Sequence, residues 1–223
     1  MLYELRLSVQ DRPGSLARLT RLLADRSIDV REIDILGSIV GQAVDILFID
    51  CLPEQAAVLP PQIAELDGFE LLSLHPANRA RSSHPDLDLL MTLSRPGNEA
   101  IGAFTEAAVP AFSVDWAVAF PIGRGGRPEC ASAAAPDLMW NGWTPKRATR
   151  VLPGVYSGAD GIYEGVHAPL GDRHVLLLGR SPGPAFHELE IMRFNRLLEV
   201  AGTFVGATSA INLFGAASPI GRL

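Results

Sequence analysis

Within the first thirty residues the spacing of hydrophobic side chains changes period twice, and no other feature of the chain restricts its fold as strongly. Tyr3, Leu5, Leu7 and Val9 alternate with Glu4, Arg6 and Ser8, a period of two that describes a strand with one buried face. Leu16, Leu19, Leu22 and Leu23 then recur at helical spacing, and Ile28 and Val30 return to alternation. Between strand and helix stands a charged turn, Asp11-Arg12-Pro13-Gly14. Pro13 suits the first turn of a helix, where its missing N–H is no loss, and Asp11 stands where a side-chain oxygen accepts from free N–H groups. Arg18, Arg21 and Arg26 fall off the leucine stripe and read as a solvated helix face.

Ile33 and Ile35 continue the second strand in the opposite phase, which predicts a bulge near Arg31 and Glu32, and a turn with Gly37 and Gly41 follows. The segment QAVDILFIDCL is apolar on both alternating sets, as in a strand covered on both faces. Glu54 to Leu66 is helical in pattern, with Pro60 and Pro61 predicting a break and a new turn at Pro61. FELLSL closes the unit as a fourth strand. The order βαββαβ over residues 1–74 is the ferredoxin-like split arrangement, in which helices cover one sheet face and the other is left open; the open face predicts association into a homodimer.

The stretch LYELRLSVQDRPGSLARLTRLLADRSIDVREIDI resembles the ACT domain, a small regulatory module. Its strand, D-x-P-G-x-L turn, helix and I-x-V second strand stand in that family's order. The resemblance implies that a small effector, often an amino acid, binds at the first strand-to-helix turn across a dimer interface, which points to Gln10, Asp11, Arg12, Gly14, Ser15 and Leu16. In physical terms Gly14 lets backbone approach a ligand, helix-start N–H groups hold a carboxylate, and Asp11 accepts from an ammonium. The alternative is that Asp11 only caps the helix.

Residues 75–86, HPANRARSSHPD, carry no periodic apolar pattern and read as a linker to a second unit over 87–223. There the pattern predicts a helix over 98–112, strands in VDWAVAFPI and ECASAAAP separated by the glycine-rich GRGGR, a hairpin of IYEGVHAPL and RHVLLLGR around Gly171 and Asp172, and a helix over about 185–211 with Ile191, Phe194, Leu198, Ala201 and Val205 on one face. The hairpin, loop and long terminal helix resemble the end of a GAF domain, a family whose members bind small metabolites and often dimerise through terminal helices. The fold class is thus α+β, an ACT-like module followed by a GAF-like module with an antiparallel sheet. Trp116, Trp140, Trp143 and Tyr156 are candidates to line a second pocket, with core packing as the alternative.

A formal net charge of −6 argues against a nucleic-acid surface, and all but one of the nineteen basic residues are arginine, Lys146 being the exception, a chain-wide bias that weakens any single arginine as an anion site. Cys51 and Cys130 lie far apart in sequence with no CxxC, so neither a disulfide framework nor a zinc site is expected. GRGGR lacks the lysine and hydroxyl residue of a P-loop. His167 and His174 flank the hairpin turn and are placed to face each other, a weak metal pattern, whereas His75, His84 and His187 are dispersed. No nucleophile elbow, Rossmann loop or cofactor motif is present, and thiol chemistry of the kind known on a GAF-like fold needs clustered cysteines. The uncharged run from Val200 to Gly221 holds Gly202 and Gly206 in GxxxG spacing but is interrupted by Thr203, Thr208, Ser209 and Asn212, which suits a buried or self-associating helix better than a membrane span. With no signal peptide visible, the expectation is a cytoplasmic, non-catalytic regulatory protein that senses an amino acid, needs no cofactor, binds neither nucleic acid nor membrane, and acts through oligomerisation or a protein partner. The alternative is an enzyme whose site lies in the second module.

Overall fold

The computed structural model describes residues 1–39, 41–77, 84–152, 155–158, 164–180 and 185–215, and the chain divides into two units, Met1–Ala80 with His187–Glu190, and Arg81–Phe186 with Ile191–Leu223. The first unit runs β1 (Leu2–Gln10), α1 (Ser15–Ala24), β2 (Asp29–Ile39), β3 (Gln42–Asp50), α2 (Pro53–Ala64) and β4 (Phe69–Pro76). Its sheet is antiparallel in the order β2-β3-β1-β4. Leu5, Leu7 and Val9 of β1 meet Leu19 and Leu23 of α1 and Leu59 and Ile63 of α2 in one core, so the alternation of the strand and the stripe of the helix close on each other.

The irregularity in β2 falls at Arg31, where the register to β3 slips between Val30 and Glu32, and a second slip lies between Ile35 and Ser38. The strand therefore runs on through Gly37 to Ile39. The expected break in α2 does not occur: one helix spans Pro53–Ala64 with Pro60 and Pro61 inside it. Two prolines remove two N–H donors, but Ala56, Leu59 and Ile63 stay buried in the core only if the helix continues, and that burial decides the outcome. At its start Gln55 Oε1 accepts the Leu52 N–H at 2.7 Å.

On the second sheet face, expected to be left open for association, the unit's own Glu190 pairs with Arg6. Glu4 and Arg6 of β1 and Val44, Ile46 and Phe48 of β3 are all buried. Arg6 pairs at 2.8 Å with Glu4 and at 2.8 Å with Glu190, which groups with this unit. Charged residues at alternate positions looked solvent-facing in sequence, but a guanidinium between two carboxylates is a form in which charge is buried. Of the segment read as a linker, His75 and Pro76 belong to β4, residues 78–83 lie outside the described residues, and Pro85 opens the next helix.

The second unit runs α3 (Pro85–Met91), a short 3₁₀ turn (Thr92–Ser94), α4 (Gly97–Ala111), β5 (Trp116–Pro121), β6 (Cys130–Ala131), β7 (Met139–Trp140), β8 (Thr149–Arg150), β9 (Tyr156–Ser157), β10 (Glu164–Leu170), β11 (His174–Arg180) and α5 (Glu188–Gly215). Five strands form an antiparallel sheet in the order β6-β5-β11-β10-β8, while β7 and β9 pair separately. Small residues, Ala117, Ala119 and Ala168, occupy the sheet face that meets Phe104 and Ala108 of α4 and Phe194 and Leu198 of α5. The opposite face presents Trp116, Val118, Phe120, Val175 and Leu177 to Leu138, Trp140 and Val155.

On α5 the expected stripe is buried through Ile191, Phe194, Leu198 and Ala201, with Val205 partly buried. A Cβ on Gly202 would stand 3.0 Å from the Gly171 backbone nitrogen, so this glycine admits the β10–β11 turn. That contact accounts for Gly202 without self-association of the helix. Residues 216–221 of the uncharged run lie outside the described residues; among the described residues no helix is long and apolar enough to cross a membrane.

Candidate functional site

The turn between β1 and α1 is built by backbone. Gln10 N–H donates to Gly68 O and Asp11 N–H to Gly41 O, both at 2.8 Å, which fixes the end of β1 between two neighbouring loops. Gly14 is the N-cap of α1 in the left-handed region, φ +88°, and a Cβ there would meet nothing within 4 Å. Glycine is needed at this position for conformation, and the space above it is open. Ser15, by contrast, is buried, its Oγ donating to Gln10 O at 2.8 Å, while its N–H goes to Arg12 O at 3.2 Å. The remaining N–H groups of the first turn are those every helix start leaves without a helical acceptor.

The turn's side chains divide by role. Leu16 packs against the core and the Gln10 side chain lies against Gly68. Arg12 is paired with Asp67 at 2.9 Å on the surface, a contact of small energetic weight. Asp11 does not cap α1: no described side chain does. The helix begins two residues beyond Pro13, and Gly14, lacking a side chain, takes the cap position.

One residue of this region escaped the reading of the sequence. Asp45 sits in the middle of β3, opposite Leu7 on β1 and Ile35 on β2, and is only 5% exposed. Its Oδ1 is buried with no hydrogen-bond partner among the described residues. Burial, and secondarily the negative charge of Asp11, push its carboxyl above the ordinary range. The signal was present, since an aspartate interrupts the apolar run of QAVDILFIDCL, but a strand pattern alone does not say which neighbour such a residue meets.

In the second unit three of the four singled-out aromatics, Trp116, Trp140 and Tyr156, gather on the sheet face away from α4 and α5. Phe120 lies between Trp140 and Tyr156, with ring centroids at 5.7 and 5.4 Å. Trp143 stands at the surface, 42% exposed, its ring stacked on His167 at 5.2 Å. His167, on β10, is fully buried, and its Nδ1 lies 2.9 Å from the Tyr156 hydroxyl. Burial lowers the His167 pKa to about 4 and raises that of Tyr156, so both are neutral near pH 7.

The two hairpin histidines do not face each other. His167 pairs with Leu177 and so shares its face, whereas His174 pairs with Leu170 on the helix side and meets Glu129 at 3.1 Å. Residues 167 and 174 differ by an odd number, and side chains alternate along each strand. Among the described residues no group of three metal-ligating side chains occurs. The GRGGR stretch is also accounted for within the fold, because Gly126 and Trp140 exchange backbone hydrogen bonds at 2.8 and 2.9 Å and a Cβ on Gly125 would crowd Trp140 O at 3.0 Å.

No curated protein matches the chain. Residues 3–59, from β1 to the middle of α2, match the family model of the ACT domain, and this stretch contains the whole β1–α1 turn together with Asp45.

Proposed function

We propose that the protein is a non-catalytic sensor whose first unit binds an amino acid at the β1–α1 turn. ACT domains are typically regulatory modules that bind small molecules, amino acids among them. The observation that carries the amino-acid reading is Asp45, a buried carboxylate with an unpaired oxygen, electrostatically coupled to Asp11 of the turn. An ammonium group relieves both its burial and its repulsion from Asp11. The helix start supplies N–H donors for the ligand's carboxylate, and the open space over Gly14 admits it. Two carboxylates repel a phosphate, so the same cradle selects against phosphorylated ligands.

The hairpin of β10 and β11 and the long α5 support the GAF-like reading of the second unit. The proposed output is a change in oligomeric state or in a protein partner. Ile33 and Ile35 are exposed on β2, the outer strand of its sheet, which supports a homodimer through that edge. The proposed location is the cytoplasm.

A thermal-shift screen of the standard amino acids tests the reading. One or a few should raise Tm, since a ligand at 100 times its Kd stabilises the native state by about 2.7 kcal/mol. The matching keto acid should shift it less, and Asp45→Asn or Asp11→Asn should reduce the response. A flat screen removes the amino-acid assignment.

A further inference from the structure

We infer that the second unit carries a separate binding site, centred on His167, for a small uncharged molecule with a planar ring and a hydrogen-bond-accepting oxygen. This inference does not depend on the amino-acid reading of the first unit.

His167 is fully buried, yet its Nε2 has no hydrogen-bond partner among the described residues. Its other nitrogen is engaged by Tyr156 at 2.9 Å. One proton lies between the two groups. If the phenol donates it, the phenol proton is used and Nε2 carries the imidazole hydrogen. If Nδ1 donates it, the buried phenol proton needs a further acceptor as well, and two groups are left wanting instead of one. The first arrangement is the cheaper, so Nε2–H is a buried donor in need of an acceptor.

A lone water is a poor occupant. It needs two to four polar partners, and the side chains on this face, Val118, Phe120 and Leu177, offer it none, while the Trp140 Nε1–H is taken by Trp143 O and the Tyr156 hydroxyl, its proton used on Nδ1, keeps acceptor capacity only. A ligand oxygen carried on an apolar body meets the donor without that penalty. The ring requirement comes from Trp143 and Tyr156, whose rings lie against the imidazole, with Phe120 behind Tyr156. The side chains described around His167 are aromatic and apolar, and burial is what lowers its pKa, which disfavours an ionic ligand.

Trp143 supplies the way in. Its backbone is held by Trp140 Nε1–H donating to Trp143 O and by Trp143 N–H donating to Asn141 Oδ1, both at 2.9 Å, while its side chain is the exposed member of the stack. In the proposed site the route to the imidazole is rotation of this exposed indole.

The test uses the full chain labelled with nitrogen-15 and four probes: benzamide, which has ring and acceptor, toluene, which has the ring alone, acetamide, which has the acceptor alone, and benzoate, which is charged. Benzamide at low millimolar concentration, the range for a fragment of its size, should shift the His167 ring-nitrogen signals and bind about tenfold more tightly than any of the other three. In His167→Phe its affinity should fall to that of toluene, and Trp143→Ala should weaken both ring compounds. Wild-type signals that ignore benzamide, equal binding of benzamide and toluene, or a water on Nε2 that benzamide does not displace would each overturn the site. The wild-type titration decides the matter even if His167→Phe does not fold.

Discussion

A Cβ built on Gly179 would stand 1.9 Å from Cζ2 of Trp116, so the indole on β5 fills the space that a side chain on β11 would take. The two residues are direct cross-strand partners, and Gly165 faces Gly179 on the other side. Gly179→Ala therefore cannot be absorbed by a small shift. It should destabilise the protein by about 1–3 kcal/mol or more and alter the near-ultraviolet circular dichroism of the tryptophans. An unchanged Tm and spectrum would show that Trp116 is not held there.

Gly14 makes the opposite case, since an added Cβ meets only space but the backbone lies at φ +88°. Gly14→Ala should destabilise by about 1 kcal/mol through conformation alone. Gly14→Val in a folded sample should also lose the amino-acid thermal shift. A retained shift would place the ligand elsewhere.

Asp45→Asn should raise stability by about 1 kcal/mol at pH 7, because a buried, unpaired carboxylate is replaced by a neutral group. The native carboxyl titrates above its ordinary value of 3.8, so the native state holds its proton to higher pH than the unfolded chain does. The penalty is therefore absent below the ordinary value and grows as pH rises through the native one. Urea midpoints of the two proteins should converge toward pH 4 and separate toward pH 7. Parallel curves would contradict the burial of a charge.

His167 acts with the opposite slope. Its native pKa of about 4 lies below the ordinary 6.5, so the unfolded chain takes up a proton between these values while the native state does not. Stability is then full above pH 6.5 and falls as pH drops to about 4, by a loss on the order of 3 kcal/mol, with no further loss from this residue below that. His167→Phe should flatten that part of the pH–stability curve. A slope that survives the substitution belongs to another group.

The amino-acid sequence by itself determined the local elements of the first unit. The changes of period placed β1, α1 and β2, the phase reversal from Val30 to Ile33 placed the bulge at Arg31, and the two-sided apolar run made β3 an inner strand. In the second unit the same signal placed the hairpin and α5. All of these depend on which side chains a single element buries, and spacing along one strand or helix records that. Tertiary structure alone decided the rest. Continuity of α2 through Pro60 and Pro61 came from packing, and burial of Arg6 came from a carboxylate far along the chain at Glu190. That Gly14 and not Asp11 stands at the cap of α1 was decided by the folded turn. Asp45 within electrostatic reach of Asp11, and His167 beneath Trp143 with Tyr156 on its Nδ1, are groups whose chemistry exists only once distant segments meet. A buried polar atom is defined by what fails to reach it, and no periodicity in one dimension encodes that.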